Sequence, residues 1–243
     1  MKVRNETKMR KGGKKTIGII GGMGPLATCD LMEKIIARTG AENDQENLHL
    51  VVDCNTEIPD RTEAILNQGE SPVPQLVRSG IKLQGMGADV LVMSCNTAHY
   101  FYDCVIPYLD IPLLHMIRET GSYLRRQGVR RAGLLATDGT VRSRVYQEAL
   151  EQVGISPLIP DAAGQRSVMD LIYRGVKAGR REYDTQDFQR TVERLLGQGA
   201  ERLILGCTEL PLAVKWYGLS YPAADPTEVL AEAAIRYCRT GQK

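Results

Sequence analysis

The fold is decided first by residues 16–25, Thr16-Ile-Gly-Ile-Ile-Gly-Gly-Met-Gly-Pro25. The apolar run at the start of this stretch has no polar alternation, which is typical of a strand covered on both faces of a sheet. Pro25 suits the first turn of a helix. The stretch therefore predicts a buried strand, a glycine turn and a helix, the opening of an α/β unit.

The same pattern recurs along the chain. Strands are predicted at residues 16–20, 48–52, 90–93, 112–114, 132–135, 155–159 and 203–205. Amphipathic helices are predicted at residues 27–38, 73–86, 118–127, 142–153, 168–176, 185–196 and 227–239. Alternating strands and helices predict the α/β class with mainly parallel sheets flanked by helices.

A weak internal repeat in the sequence predicts two pseudo-symmetric lobes. The glycine turn after the first strand is matched by Ala136-Thr-Asp-Gly-Thr140, which follows a middle strand. About 70–75 residues after each turn, another apolar strand ends in a cysteine that threonine closely follows, in Cys95-Asn-Thr97 and in Cys207-Thr208. Ligands bind at the carboxyl ends of parallel strands, so both thiols are expected in one cleft between the lobes.

The predicted domain boundaries follow from this internal repeat. Residues 16–117 form the first lobe and residues 118–221 the second. The C-terminal helix, within residues 222–243, is expected to pack back on the first lobe. Residues 1–15 carry seven basic side chains against one acid and are interpreted as a disordered tail.

Composition excludes several classes of protein. The chain has 243 residues, of which 43% are hydrophobic and 25% charged, as in soluble globular proteins. Its net charge of +2 gives no reason to expect nucleic acid or an anionic membrane as partner. A basic start followed by an apolar run resembles a signal peptide, but glycines break the run, and no stretch is long enough for a membrane helix.

The six cysteines lack the CxxC spacing of zinc or redox motifs. They are interpreted as reduced thiols of a cytoplasmic protein, most of them buried and inert. Four are predicted to be structural: Cys29, Cys54, Cys104 and Cys238. The three histidines, His49, His99 and His115, show no ligand spacing, so no metal site is expected.

The glycine turn has three possible roles. Its backbone amides, around Gly22 and Met23, could hold a substrate carboxylate at the start of a helix. The turn could instead be purely structural. Gly22-x-Gly24-x-x-Ala27 is also a loose match to a dinucleotide fingerprint, but the acid expected about 20 residues later is missing from the end of a second strand.

Cys95 begins the motif Cys-Asn-Thr-Ala-His, directly after a buried strand. Amides at a helix N-terminus lower the pKa of a thiol, and Asn96 and Thr97 could orient a substrate carboxylate. A buried structural cysteine is an equally good interpretation, and His99 by itself is more typical of a hydrogen-bonded structural residue.

The motif at the end of the last main strand is Gly206-Cys-Thr-Glu209. Glu209 could accept a proton from the Cys207 thiol or hold a substrate ammonium group. It could equally be an exposed carboxylate at a helix start, where a negative charge is favourable.

Together, the glycine turn and the two cysteine motifs resemble the aspartate/glutamate racemase family, and within it the aspartate racemase branch. The glutamate branch typically has Cys-Thr-His where this chain has Cys207-Thr-Glu209, and an Asp-Ser-Gly type of first loop. The resemblance covers most of residues 16–230. It implies that Cys95 and Cys207 are paired acid/base thiols, that no cofactor is needed and that the protein is a homodimer.

The resemblance also implies two residues that bind carboxylates. Arg61 lies in Ile58-Pro-Asp-Arg-Thr62 and Lys177 in Tyr173-Arg-Gly-Val-Lys177. Without the resemblance, both would be interpreted as surface charges. The full set expected to bind substrate is Gly22, Met23, Arg61, Asn96, Thr97, Thr137, Lys177, Thr208 and Glu209.

The predicted activity is cofactor-free interconversion of L- and D-aspartate, or glutamate. One thiolate removes the α-proton and the opposing thiol returns a proton on the other face. The alternatives are a maleate isomerase, a hydantoin racemase or an arylmalonate decarboxylase of the same superfamily, and a non-catalytic amino-acid-binding protein. Maleate isomerisation would use one cysteine as a nucleophile.

Overall fold

The computed structural model describes residues 14–241. The predicted tail lies outside the described residues as far as position 13. Its last two residues contact the folded chain: the Lys14 ammonium donates to the carbonyl of Gln45, and the Lys15 ammonium lies 4.3 Å from the ring centre of Tyr237.

Two sheets, each made of parallel strands, form the framework. The strands are β1 (Thr16–Gly21), β2 (His49–Cys54), β3 (Val90–Met93), β4 (Arg131–Leu135), β5 (Ser156–Leu158), β6 (Arg202–Leu205) and β7 (Ala223–Ala224). The first sheet has the order β2-β1-β3, and the second has the order β5-β4-β6-β7. The prediction of a two-lobed α/β fold is confirmed.

Helices cover both sheets. The α-helices of the described range are α1 (Pro25–Thr39), α2 (Arg61–Leu66), α3 (Val73–Gly85), α4 (Tyr102–Val105), α5 (Met116–Arg126), α6 (Asp138–Arg142), α7 (Val145–Gln152), α8 (Ala162–Asp170), α9 (Gln186–Gly197), α10 (Glu209–Trp216) and α11 (Pro226–Thr240). No helix within residues 14–241 combines the length and the apolar character that crossing a membrane requires.

Strand β1 supplies side chains to two cores, because successive residues of a strand point to opposite faces. Ile17 and Ile19 pack with α1 and with Leu230 of α11. Ile20 points the other way and packs in a second core that includes Leu83 of α3. Helix α11 also contacts α5 of the second lobe. The first sheet is thus buried on both faces, which explains its continuous apolar sequence.

Three predicted elements differ from the structure. Residues 112–114 form one bridge, between Leu91 and Leu113, instead of a strand. The helix predicted at 142–153 begins three residues later, as α7 at Val145, because Arg144 has a left-handed backbone with φ of 59° and separates α7 from α6. The helix predicted at 168–176 begins earlier, where Asp161 caps α8, and ends in a π-helical turn, Leu171–Val176.

Candidate active site

The register of the strands brings the two cysteines to corresponding places. Ile20 pairs with Met93, so β1 and β3 end at the same level, and Cys95 follows two residues later. Leu135 pairs with Leu205, so Thr137 and Cys207 also leave their strands at one level. Both cysteines are 6% exposed. Each lobe therefore delivers one buried thiol beyond the carboxyl end of a parallel strand.

The two lobes enclose a cleft that contains both thiols. It is lined by Met23, Asp60, Arg61, Thr62, Cys95, Asn96, Thr97, Thr137, Tyr173, Lys177, Cys207, Thr208 and Glu209. Ten of the eleven residues predicted for the site are among them. The free volume is about 10 Å³, enough for one water molecule.

Gly22 lies outside this inner cleft, in an adjoining chamber. Its backbone φ is 90°, and an added Cβ would lie 2.3 Å from the carbonyl oxygen of Asn55, so the turn requires glycine. Its amide N–H donates to the hydroxyl of Thr28 at 3.0 Å. The turn carries Met23 into the cleft, but the Gly22 amide already has a partner.

Glu209 lies between Cys207 and Lys177. The Cys207 thiol donates to Oε2 of Glu209 at 2.9 Å, and the Lys177 ammonium forms an ion pair with Oε1 at 2.8 Å. Glu209 is 4% exposed, which rules out the interpretation as an exposed helix-start carboxylate. An added Cβ on Gly24 would lie 3.3 Å from Oε1, so the glycine leaves room for this carboxylate.

This arrangement controls protonation at Cys207. Burial and the negative charge of Glu209 raise the pKa of the Cys207 thiol well above its usual value, and Lys177 offsets them only in part. Burial lowers the pKa of Lys177, but the negative charge of Glu209 and its hydrogen bond raise it by more, so the ammonium stays protonated. Cys207 is therefore a protonated thiol at neutral pH.

Arg61 provides the corresponding charge beside Cys95. Asp60 caps α2 by accepting from the Glu63 amide, and this fixes where Arg61 leaves the helix start. Its Nη1 donates to the carbonyls of Ile58 and Pro59 at 3.1 and 2.9 Å. Burial lowers the pKa of Arg61, but the neighbouring Cys95 and Asp60 raise it by more. A cation thus lies next to the Cys95 sulfur.

Two buried donors in the cleft lack partners. Nε of Arg61 and Nδ2 of Asn96 make no hydrogen bond to any residue in the range 14–241. The Asn96 amide is held by the Tyr146 hydroxyl, which donates to Oδ1 at 2.6 Å. Buried donors normally have partners, so these two suit an anionic ligand such as a carboxylate.

Three threonine hydroxyls join the lobes at the floor of the cleft. Thr97 of the first lobe lies 3.0 Å from Thr137 and 2.9 Å from Thr140 of the second lobe. Thr137 and Thr140 are 3.1 Å apart, which closes the ring. Thr137 also caps α6 by accepting from the Thr140 amide. All three are buried, so the ring fixes the spacing of the lobes beside the thiols.

His99 has a structural place. Its Nδ1 bonds to the Cys95 carbonyl at 2.8 Å, and the Met116 amide donates to Nε2 at 3.1 Å. Because Nε2 accepts, the proton of the neutral ring is on Nδ1. Burial lowers the pKa of His99 to about 4. The neutral ring therefore ties the backbone of Cys95 to the start of α5.

The expectation that most cysteines are buried is wrong. Cys29, Cys54 and Cys104 are exposed, and Cys238 is partly buried. Cys29 of α1 and Cys54 of β2 lie on the solvent side of the first lobe, so neither contributes to its core. Only the two cysteines of the cleft are buried within residues 14–241.

Sequence reasoning missed three residues that line the cleft, Asp60, Thr62 and Tyr173. The Tyr173 hydroxyl lies near Thr62, and the Lys177 ammonium lies 5.6 Å from the centre of the Tyr173 ring. Tyr173 precedes Lys177 by four residues, the spacing that places two side chains on one helical face. That spacing could have predicted from the sequence that Tyr173 lies in the site beside Lys177.

The fold and the site define a two-lobed α/β protein whose cleft holds one buried thiol from each lobe. Comparison with known proteins gives the family. The family model for Asp/Glu/hydantoin racemase matches residues 20–234. The chain belongs to this racemase family.

Individual relatives agree with this assignment. The structure of Picrophilus torridus aspartate racemase is 36% identical, with a TM-score of 0.79 over 93% of this chain and 94% of that one. An aspartate racemase homologue from Pyrococcus horikoshii OT3 is 25% identical, with a TM-score of 0.75 over 93% of this chain and 99% of that one. The broad specificity amino-acid racemase RacX of Bacillus subtilis is 28% identical over 90% of this chain and 96% of its own length.

Proposed function

We propose that this protein racemises aspartate, or glutamate, without a cofactor, by a two-thiol mechanism. The observation that carries the proposal is the pair of buried thiols, Cys95 and Cys207, one from each lobe, lining a cleft with Arg61 and Lys177. Racemisation requires an acid and a base on opposite faces of one carbon, and two opposed thiols meet that requirement without movement of the substrate.

The surroundings of the thiols assign their resting roles. Cys207 holds its proton because burial and Glu209 disfavour its thiolate. The guanidinium of Arg61 lies beside the Cys95 sulfur. In the first direction, Cys95 removes the α-proton while Cys207 delivers its own proton to the opposite face.

The reverse direction requires Cys207 to act as the base. A forward turnover leaves Cys207 as the thiolate and Cys95 protonated, so in the reverse direction Cys207 removes the α-proton and Cys95 delivers its own proton to the opposite face. Between turnovers, Oε2 of Glu209, 2.9 Å from the sulfur, is placed to accept the Cys207 proton while solvent protonates Cys95. Lys177 remains paired with Oε1 and compensates the charge that is left on the sulfur. Glu209 thus acts as the proton acceptor for Cys207, one of the two roles that its sequence context suggested.

Substrate carboxylates are bound by the unpartnered donors. Nε of Arg61 and Nδ2 of Asn96 are buried and free to receive an oxygen of the α-carboxylate. Lys177 adds a second positive charge, which suits the side-chain carboxylate of a dicarboxylic amino acid. Donors and charges placed in advance around the planar carbanion stabilise it as negative charge develops. Thr97, Thr137, Thr208 and the turn at Met23 complete the walls.

The cleft must open for turnover. A free volume of about 10 Å³ cannot contain an amino acid, so the lobes separate to admit substrate and close again around it. Closure also excludes water from the thiols, which strengthens the electrostatic interactions in the site.

We propose a homodimer that acts on a free amino acid in a reducing, cytoplasmic environment, where both thiols stay unpaired. Light scattering of the purified protein tests the dimer: a mass of twice 26.9 kDa is expected, and a mass of 26.9 kDa would contradict it.

The test of the activity is α-proton NMR of L-aspartate and, separately, L-glutamate in D₂O with no added cofactor, with optical rotation followed in parallel. Loss of the α-proton signal together with loss of rotation supports cofactor-free racemisation and names the substrate. If a folded protein with reduced thiols produces neither change on either amino acid, the proposed reaction on dicarboxylic substrates is wrong.

A further inference from the structure

A second chamber of about 380 Å³ adjoins the cleft that contains the thiols. The two cavities share four lining residues: Met23, Arg61, Lys177 and Glu209. These shared side chains form the boundary between the chamber and the thiols. The chamber is many times larger than the inner cleft, so it is the space into which a bound molecule can extend.

The walls that belong to the chamber alone are uncharged. They consist of Gly22, Gly24, Pro25, Leu26, Thr56 and Val176. Every charged side chain of the chamber therefore lies at its boundary with the inner cleft. Leu26 is 48% exposed although it is a large apolar residue on the first turn of α1. The chamber is polar where it meets the thiols and mostly apolar beyond them.

This gradient fits the two ends of an amino acid. The reacting carbon must lie between Cys95 and Cys207, and its carboxylate lies near the unpartnered donors of Arg61 and Asn96. A side chain that leaves the inner cleft then passes the shared residues and enters the apolar part of the chamber. Aspartate is too short to use that part, whereas a longer aliphatic side chain would bury its methylenes there.

We propose that the chamber is a side-chain pocket that admits amino acids with an extended, unbranched apolar side chain, such as methionine, in addition to dicarboxylic substrates, and that Leu26 determines this selectivity. The inference rests on the proposed racemase function. Each methylene buried against the apolar wall is expected to improve kcat/KM roughly fourfold.

A charged substitution at Leu26 tests the pocket. Leu26→Glu places a carboxylate on the apolar wall, and an acidic residue in the first turn of a helix favours folding. Ile36→Glu is the matched control, because Ile36 lies on the same helix, is 50% exposed and lines none of the cavities described. Circular dichroism verifies that both variants fold.

The measurement is kcat/KM for α-proton exchange in D₂O with L-aspartate, L-glutamate, L-2-aminobutyrate and L-methionine. In the wild type, L-methionine is expected to exchange faster than L-2-aminobutyrate. In Leu26→Glu, the ratio of methionine to aspartate activity should fall about tenfold or more, because about two buried methylene contacts are lost. Ile36→Glu keeps the wild-type ratio.

Several outcomes overturn the inference. If aspartate or glutamate exchanges its α-proton and methionine does not, the inference of a side-chain pocket is wrong, but the proposed function is still supported. An equal loss with every substrate in Leu26→Glu makes the chamber an access route and not a selectivity pocket. No exchange with any substrate removes the proposed function, and the inference with it.

Discussion

The thiol of Cys207 donates a hydrogen bond to Oε2 of Glu209 at 2.9 Å. The carboxylate opposes ionisation of the thiol and is also the nearest group that can take its proton. Removal of the Glu209 charge therefore has two separable effects, on the pKa of Cys207 and on catalysis.

Glu209→Gln is expected to lower the pKa of Cys207, because one of the causes that raise it is lost and Lys177 no longer has its ion-pair partner. Alkylation of Cys207 by iodoacetamide, followed by mass spectrometry across pH, should show a lower midpoint than in the wild type. Racemisation should fall by roughly 10²-fold through loss of the proton acceptor. An unchanged alkylation midpoint contradicts the electrostatic role.

Cys95→Ser and Cys207→Ser should each reduce racemisation by about 10²- to 10⁴-fold, the usual contribution of a positioned acid or base. Cys29→Ser is the control, since Cys29 is exposed on α1 and lines none of the cavities described. It should leave the rate within about twofold, because surface substitutions rarely matter. A wild-type rate in either cleft variant would rule out the two-thiol mechanism.

Arg61→Lys retains the positive charge but loses the planar fork that binds a carboxylate through two hydrogen bonds. KM for the amino acid is expected to rise about tenfold, the loss of one charge-assisted hydrogen bond. Arg190→Lys is the control, because the Arg190 side chain is 61% exposed and pairs with Asp187 on the surface of α9. Steady-state kinetics on both variants separate KM from kcat, and equal KM values would remove Arg61 from substrate binding.

Thr140→Val tests the hydroxyl ring that joins the lobes. The substitution removes the hydroxyl that bonds to Thr97 and Thr137 and leaves a similar shape, so the free energy of unfolding should fall by about 1–3 kcal/mol. Thr140→Ser retains the hydroxyl and should recover most of that loss. Urea unfolding measures both, and equal stability of the two variants would show that the ring contributes nothing.

His99 is expected to make the fold sensitive to acid. Its pKa is lowered by burial from 6.5 to about 4, so the unfolded chain takes up a proton first as pH falls. The free energy of unfolding should fall by roughly 3 kcal/mol as pH decreases from 6.5 towards 4. Urea unfolding across this range should show a weaker pH dependence in His99→Gln than in the wild type, and an equal dependence would contradict this role of His99.

Much of the framework was predictable from local patterns. Uninterrupted apolar runs such as residues 90–93 are typical of a strand buried on both faces, so most strand positions follow from the sequence. Residues 112–114, which form a single bridge, are an exception. The cysteine after such a run must lie near the carboxyl edge of the sheet. The sequence by itself therefore determined the α/β class, the two lobes and ten of the thirteen residues that line the cleft. It missed Asp60, Thr62 and Tyr173, and it placed Gly22 in the site although Gly22 lies outside the inner cleft.

Only the tertiary structure decided how those residues meet. Lys177 and Glu209 are distant in the chain, and their ion pair exists because the π-helical turn packs on α10. The ring formed by Thr97, Thr137 and Thr140 likewise depends on how the two lobes dock. Sequence periodicity fixes which face of an element a side chain occupies, but contacts between elements depend on packing across the whole molecule, and these contacts set the protonation of the thiols and the size of the chamber.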